Sequence, residues 1–194
     1  VCSSDLTKML VDIDKDCVAT LKQNRPKWNV IQGDIQKIDF KGMKAEVVTG
    51  GFPCQAFSHA GNKLGFDDTR GTLFYEFARA VKEIKPKIFL AENVEAIIRN
   101  DNGRTLDTIL TVLSSFGYDV QYEILNALNY KVPQKRKRII FIGTKKGMKF
   151  QYPKASTKIV TIKEGLKNVP ESPGETYSAE KKKMMEFEIG RAHV

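Results

Sequence analysis

The chain has 194 residues, 41% of them hydrophobic and 28% charged, with 32 Lys and Arg against 23 Asp and Glu for a net charge of +9. That composition is ordinary globular material, not a disordered tail, and allows one large domain or one domain with part of another. No apolar run approaches the roughly 20 residues needed to span a bilayer, no charged-then-apolar leader opens the chain, and Cys2, Cys17 and Cys54 with only His59 and His193 lack the spacing of a metal or redox site.

The two ends stand apart. Val1 to Leu6 can be encoded as GTG TGC TCT TCC GAT CTC, and the reverse complement of that string translates to Glu-Ile-Gly-Arg-Ala-His, the sequence of Glu188 to His193. Residues 1–6 and 188–194 therefore read as adapter-like, non-native peptide and are set aside from the fold. The natural protein is expected to extend past both ends. Without them the chain carries 31 basic and 21 acidic residues, a net charge of +10.

Residues 9–14 read as a strand ending in acids, followed by a helix through about Gln23 that stops before Pro26. Residues 29–31 form a short strand running into Gly33, Asp34 and Ile35. The apolar run 45–49 is a buried strand; Gly50 and Gly51 break it, and Pro53 fixes the backbone just before Cys54. A polar, glycine-bearing loop reaches about Gly71. Phe74, Phe77, Ala78, Val81 and Ile84 then recur at helical spacing and form one apolar face. Residues 87–92 are another buried strand with Glu92 at its carboxyl end. Leu106, Ile109, Leu110, Leu113 and Phe116 mark a second amphipathic helix closed by Gly117. Residues 119–125 and 138–144 are two final strands.

Strand and helix alternate, which predicts an α/β fold with a doubly wound, mostly parallel sheet. About a dozen residues without helical pattern join the last two strands, so an antiparallel pair with an antiparallel edge strand is expected there. The domain is placed at residues 7–149. Residues 150–187, with Pro153, Pro170, Pro173 and the Lys181-Lys182-Lys183 run, read as a linker and the opening of another region. From Ile124 through Lys163 there is no acid but eleven basic residues, including Lys135, Arg136, Lys137 and Arg138. Such a segment fits a polyanion partner or a solvated lysine-rich face, and charge alone leaves both open.

Asp12, Asp14, Asp34, Cys54 and Glu92 each follow a strand. In a parallel sheet those carboxyl ends share one edge, where ligands bind. Acids after early strands suit ribose hydroxyls or an adenine amino group, and a thiol beside a carboxyl makes a reaction centre. A free cysteine is also commonly just a small buried apolar residue.

The ordered set Gly51-Phe52-Pro53-Cys54-Gln55, Glu92-Asn93-Val94 and Gln134-Lys135-Arg136-Lys137-Arg138 resembles the DNA cytosine-5 methyltransferases, closely so the bacterial restriction-modification enzymes. The resemblance runs from about Leu10 to Gly147 and is supported by Gln55-Ala56-Phe57-Ser58, Gly65-Phe66-Asp67-Asp68 and Arg70-Gly71-Thr72-Leu73-Phe74. It implies the Rossmann-like fold of S-adenosylmethionine-dependent methyltransferases, with S-adenosyl-L-methionine as cofactor and double-stranded DNA as partner. Carbon 5 of cytosine is a poor nucleophile, and a thiolate adding at carbon 6 supplies the missing electron density. By resemblance Cys54 is that nucleophile and Glu92 the acid at ring nitrogen 3. Asn93 holds the loop and the flipped base, Arg138 contacts the cytosine oxygen 2, and Arg136 supports the catalytic loop or DNA phosphates. A forked guanidinium suits such acceptors better than an ammonium. Gln55, Ser58, Gln134 and Arg136 fall at DNA-binding positions, and the target base must leave the stack to be reached. Asp12, Ile13, Asp34, Ile35, Pro53 and Leu73 fall at cofactor positions. Asp12 and Ile13 depart from the glutamate and larger aromatic usual there.

The resemblance further implies that the family's glycine-rich cofactor loop belongs before residue 7 and most of the target-recognition region after residue 187. This chain alone is therefore expected to be inactive. The expected setting is a bacterial or phage protein, cytoplasmic, monomeric, metal-free and off the membrane, with a cognate restriction endonuclease as a possible partner in the same system. An RNA (tRNA) cytosine-5 methyltransferase and a noncatalytic nucleic-acid-binding remnant are the alternatives. A zinc cytosine deaminase fails, because no second cysteine follows Pro53-Cys54 at the required spacing.

Overall fold

The computed structural model describes residues 7–53, 72–168, 178–180 and 183. It divides into two compact units, Val1–Ile159 and Val160–Val194. In chain order the first unit contains β1 (Leu10–Asp12), α1 (Lys15–Asn24), β2 (Val30–Gln32), β3 (Val47–Gly51), α2 (Leu73–Ile84), β4 (Ile88–Val94), α3 (Arg104–Ser115), β5 (Tyr118–Asn126) and β6 (Lys137–Lys145).

Local chemistry sets the helix limits. Asp14 follows β1 rather than ending it. Its carboxylate accepts the Asp16 and Cys17 N–H groups at 2.8 Å each and so starts α1, satisfying donors that have no partner within the helix. Pro26, which cannot continue a helix, lies just past its end. Thr72 caps α2 through the Tyr75 N–H at 3.0 Å. The apolar spacing read from the sequence becomes the buried face of α2, with Phe74, Phe77, Ala78 and Val81 inside. On the expected α3 face Leu106, Ile109 and Leu113 are buried and Leu110 and Phe116 partly so, and Val112, not singled out by the spacing, is buried with them.

The strands divide between a parallel pair, β1–β2, and a four-stranded sheet in the order β3-β4-β6-β5. β3 and β4 are parallel, with Val47 opposite Ile88 and Gly51 opposite Glu92. β6 runs against both neighbours: Val94 and Leu125 face Arg138 on either side. The expected antiparallel pair is thus found at the sheet edge. Its reversed member β6 lies one strand in, and β5 is outermost. Because β6 is reversed, its first residues sit beside the last residues of β4, on the edge where β3 and β4 end.

The glycines expected to break the strand after residue 49 are instead part of β3. Gly50 pairs with Ala91, and a Cβ on Gly50 would lie 2.6 Å from the Phe77 ring, so the strand continues only because that side chain is absent. Gly143 in β6 is tighter still: a Cβ there would lie 2.0 Å from the ring of Phe89. Around these close approaches the core is aromatic. Ring centroids are 5.2 Å apart for Phe52–Phe74, 5.8 Å for Phe52–Phe77, 5.9 Å for Phe77–Phe89 and 5.1 Å for Phe89–Tyr118. Each fully buried ring of this kind contributes about 1.5–3 kcal/mol through apolar burial. The path runs from α2 beneath the sheet to the residue, Phe52, that follows β3.

In the second unit a short helix, α4 (Ile162–Gly165), opens with a capping box. The Thr161 hydroxyl accepts the Glu164 N–H at 3.2 Å and the Glu164 carboxylate accepts the Thr161 N–H at 2.8 Å. Among the described residues no helix is long and apolar enough to cross a membrane, and no group of three His, Cys, Asp or Glu could hold a metal ion.

Candidate active site

A cleft of about 350 Å³ opens at the carboxyl edge of β3 and β4. It is lined by Gly51, Phe52 and Pro53 at the end of β3, Glu92, Asn93 and Val94 at the end of β4, and Arg136 and Arg138 at the start of β6. Five residues singled out from the sequence therefore share one wall or another of the same opening: Pro53, Glu92, Asn93, Arg136 and Arg138. Cys54, Gln55 and Ser58 lie outside the described residues. Gln134 is exposed on the connection before β6, where its N–H donates to the Val132 carbonyl at 2.7 Å.

Each side chain reaches the cleft for a definable reason. Side chains alternate along a strand. In β4 this buries Phe89, Ala91 and Asn93 and turns Ile88, Leu90 and Glu92 to the other face. Asn93 is 3% exposed, and a buried amide needs partners. Its Nδ2 donates to the Phe52 carbonyl at 2.7 Å, and its Oδ1 accepts the Val94 N–H at 2.8 Å. This bond fixes the backbone immediately before Pro53.

Glu92 sits opposite Gly51, where a side chain would approach its carboxylate. Its Oε1 accepts from Arg138 Nε at 2.8 Å, and the two side chains remain 38% and 25% exposed. The pair is thus aimed into the cleft yet reachable from solvent, where an ion pair adds only about 0–1 kcal/mol to stability. Arg138 also donates from Nη1 to the Lys137 carbonyl at 2.8 Å, which restrains the guanidinium. Lys137, on the opposite side of β6, lies 3.5 Å from Glu95.

Arg136 precedes β6 and is exposed. Its carbonyl accepts the Ala127 N–H at 2.9 Å, so the connection between β5 and β6 is closed at its base. Within it Ala127–Tyr130 is a single 3-10 turn capped by Asn126, and Lys131 takes a left-handed conformation at φ 63°. The Glu92–Arg138 contact and the contribution of Gly51, Phe52 and Val94 were not read from the sequence. The signal for the ion pair is the β4–β6 register, which only a reversed strand supplies.

The cofactor candidates occupy a second group of positions. Asp12 and Asp34 follow or end the paired strands β1 and β2, whose ends the Gly33 N–H ties together through the Asp12 carbonyl at 2.9 Å. The Asp12 carboxylate accepts the Asp14 N–H at 2.9 Å, and that of Asp34 accepts the Gln36 N–H at 3.0 Å, so both are held at fixed orientations. Asp34 is also the cap of the 3-10 turn Ile35–Lys37. Ile13 is 70% exposed, and Leu73 is 41% exposed at the start of α2. Asp14, an acid the sequence also places here, is committed to capping α1. Its two backbone N–H bonds hold its carboxyl below the ordinary range.

Comparisons with known proteins bear on this arrangement. The family model for C-5 cytosine-specific DNA methylase matches residues 7–192. The chain is 46% identical to the type II methyltransferase M.Eco47II of Escherichia coli over 191 residues, covering 91% of this chain and 46% of the relative. It is 48% identical to the type II methyltransferase M.PspPI of a Psychrobacter strain, covering 92% and 46%. The chain thus spans about half the length of these curated relatives. A prophage-encoded E. coli protein assigned as a DNA modification methyltransferase superposes with a TM-score of 0.68 at 31% identity, over 88% of this chain and 50% of that one. Spodoptera frugiperda DNMT2 shares the fold, with a TM-score of 0.58 at 21% identity over 89% and 50%.

Proposed function

The chain belongs to the C-5 cytosine-specific DNA methylase family, and from that premise we propose that it carries the cytosine-activating machinery of an S-adenosylmethionine-dependent DNA (cytosine-5) methyltransferase. The observation that supports this most is the convergence of Glu92, Arg138 and the Asn93-anchored Phe52–Pro53 segment on one cleft, at the point where the chain leads into Cys54. A cytosine ring presents an acceptor at nitrogen 3 beside an acceptor at oxygen 2. A carboxylic acid and a guanidinium 2.8 Å apart match that adjacent pair.

In the proposed reaction the Cys54 thiolate adds to carbon 6, and its electron pair becomes the new C–S bond. The 5,6 double bond shifts its electrons toward carbon 5 and the ring. Glu92, acting as an acid, hydrogen-bonds and protonates nitrogen 3, and Arg138 turns from Glu92 to donate to oxygen 2. Both relieve negative charge as it develops. Asn93 keeps the backbone before Cys54 from shifting, because its donor reaches the Phe52 carbonyl directly. S-adenosylmethionine, when bound, supplies an electrophilic methyl group. The residues present fit it: Asp12 and Asp34 are oriented carboxylates for ribose hydroxyls and the adenine amino group, and Ile13, Ile35 and Leu73 are apolar flanks for a purine. Once carbon 5 carries the methyl group, with S-adenosylhomocysteine left behind, the carbon 5 proton leaves to solvent, the C–S bond breaks to restore the double bond and the thiolate, and nitrogen 3 returns its proton to Glu92.

Arg136, Gln134 and the neighbouring lysines would contact DNA phosphates, which makes binding fall steeply with salt. Extruding the base costs a few kcal/mol, which those contacts help offset. We take the working form to be a monomer on duplex DNA in a bacterial cytoplasm, with a restriction endonuclease of matching specificity. Since the chain spans about half the length of its relatives, its 194 residues alone are expected to be inactive. Methyl incorporation by the isolated chain would overturn that.

The test uses the full reading frame that contains this chain and duplex DNA bearing 5-fluorocytosine, on which fluorine replaces the carbon 5 proton and cannot leave as that proton does. A covalent complex that requires S-adenosylmethionine, and that Cys54→Ser abolishes while DNA binding persists, is the expected result. DNA binding without any trapped complex would sink the catalytic reading, and incorporation into tRNA but not DNA would reassign the substrate.

A further inference from the structure

The pair β1–β2 and the four-stranded sheet are separate sheets, yet the cofactor candidates come from both sides of that division. Asp34 and Ile35 follow β2, and Leu73 opens α2, which packs on the larger sheet. Their mutual placement therefore depends on side chains that bridge the two. Arg79, in the middle of α2, is such a bridge. Its Nη1 donates to the Ile38 carbonyl at 2.9 Å and its Nη2 to the Ile35 carbonyl at 3.0 Å. Its Nε donates to Glu76 Oε2 at 2.7 Å, one turn earlier on the same helix. The guanidinium carbon also lies 4.7 Å from the centre of the Phe40 ring, which is 3% exposed.

Three features mark this as a placement device rather than an ordinary surface ion pair. The Arg79 and Glu76 side chains are only 16% and 10% exposed, and a pair so far removed from water is a weak source of net stability. The fork is used for direction, since two of its nitrogens hold two carbonyls at the two ends of one 3-10 turn. That turn is the one Asp34 caps. The turn is thus capped at its start by Asp34 and gripped at the Ile35 and Ile38 carbonyls by Arg79. The bonds on the Ile35 side and the Leu73 side chain originate from one rigid helix, α2.

We propose that Arg79 is a positioning residue for the cofactor. By clamping Ile35 and Ile38 to α2 it sets the spacing between the Asp34–Ile35 wall and Leu73, and with it the width of the slot for the adenine ring. The inference rests on the reading of Asp34, Ile35 and Leu73 as cofactor contacts. Lysine at this position keeps the charge but is a point donor with no fork, and it cannot hold both carbonyls at once.

The experiment compares Arg79→Lys, Arg79→Met and Glu76→Gln with wild type in the full reading frame. It measures S-adenosylhomocysteine binding by calorimetry, duplex DNA affinity, and the KM for S-adenosylmethionine against kcat. Arg79→Lys is expected to weaken S-adenosylhomocysteine about tenfold, the scale of losing one charge-assisted hydrogen bond. The KM should rise in step while kcat and the DNA Kd stay within about twofold of wild type. Arg79→Met should weaken cofactor binding further, and Glu76→Gln, which keeps an acceptor for Nε, should do so less than either. Wild-type cofactor affinity in Arg79→Lys overturns the inference. So does an equal loss of cofactor and DNA affinity tracking the fall in melting temperature, because that is mere structural support. If wild type itself binds no S-adenosylhomocysteine, the assignment of the cofactor positions fails first and this inference with it.

Discussion

Replacing Asn93 by alanine tests the anchoring of the segment that leads into the proposed nucleophile most directly. The wild-type amide is 3% exposed, donates to the Phe52 carbonyl at 2.7 Å and accepts the Val94 N–H at 2.8 Å. Truncation leaves the carbonyl of Phe52, itself only 6% exposed, without that donor in a place water reaches poorly. An abandoned buried polar group costs about 1–3 kcal/mol, and the vacated volume adds to it, so about 2–3 kcal/mol is expected. For a chain of this size that lowers the melting temperature by roughly 4–12 °C. Asn93→Asp preserves volume but replaces a donor with an acceptor facing the carbonyl oxygen, and should be at least as destabilised. The functional consequence is separable. If Cys54 is the nucleophile proposed above, freeing the backbone before Pro53 is expected to slow the reaction, since a displacement of about 1 Å in a reacting group costs on the order of a hundredfold in rate. Circular-dichroism melts and the rate of 5-fluorocytosine trapping, measured below the melting range, read the two effects. An Asn93→Ala protein that melts within about 1 °C of wild type and traps at the wild-type rate would refute the reasoning.

Three further outcomes follow from individual contacts. Gly143→Ala forces a Cβ to within 2.0 Å of the Phe89 ring and should cost about 1–3 kcal/mol or more; combined with Phe89→Ala, the total loss in denaturant melts should be less than the sum of the two singles, and strict additivity would argue against the clash. The Asp14 carboxylate holds the exposed Cys17 thiol above its ordinary pKa, so Asp14→Asn, which keeps a capping side chain, should speed iodoacetamide labelling of Cys17 followed by peptide mass spectrometry; an unchanged or slower rate refutes it. Burial, reinforced by Glu123, pushes the Tyr152 phenol up to about 12, and its hydroxyl donates to the Ile140 carbonyl at 2.8 Å. The neutral phenol therefore supports the fold fully below the unfolded value of about 10 and loses that support as pH rises toward 12. A 295 nm titration of wild type minus Tyr152→Phe should show the late transition, and a midpoint near 10 would contradict it.

Much of this architecture is legible in the sequence because periodicity reports burial. Phe74, Phe77, Ala78 and Val81 recur at helical spacing and are the buried face of α2. The acids after β1 and β2 and the residues around Glu92 are likewise visible as strand endings. What escapes is whatever depends on the approach of distant segments. Gly50 and Gly51 read as a strand break because glycine disfavours strands, yet β3 continues through them to admit Phe77. Nothing in the sequence marks Arg79 and Glu76, because charge carries no periodic signal of burial, and only the bonds between α2 and the Ile35–Ile38 segment bring them out. The Glu92–Arg138 contact depends on which way β6 runs. Asp14 shows the reverse case: as an acid after a strand it looks available to a ligand, but the backbone of α1 takes both its bonds.

The closed base of the connection between β5 and β6 has a consequence for how this protein can be altered. The Ala127–Arg136 hydrogen bond joins the two ends of that excursion at 2.9 Å before β6 begins. Residues 128–135 therefore form a tip on a fixed stem, tied on one side to the later chain by the Ser156 N–H donating to the Asn129 carbonyl at 2.7 Å and the Tyr130 hydroxyl donating to the Pro153 carbonyl at 3.1 Å. Since the cost of closing a loop grows only slowly with its length, the part of the tip after Tyr130 can be varied in length or sequence while Arg138 keeps its register against Val94 and its reach to Glu92. Changes to the basic surface around Lys135 belong on that tip, and changes that disturb the Glu92–Arg138 pair begin at the stem.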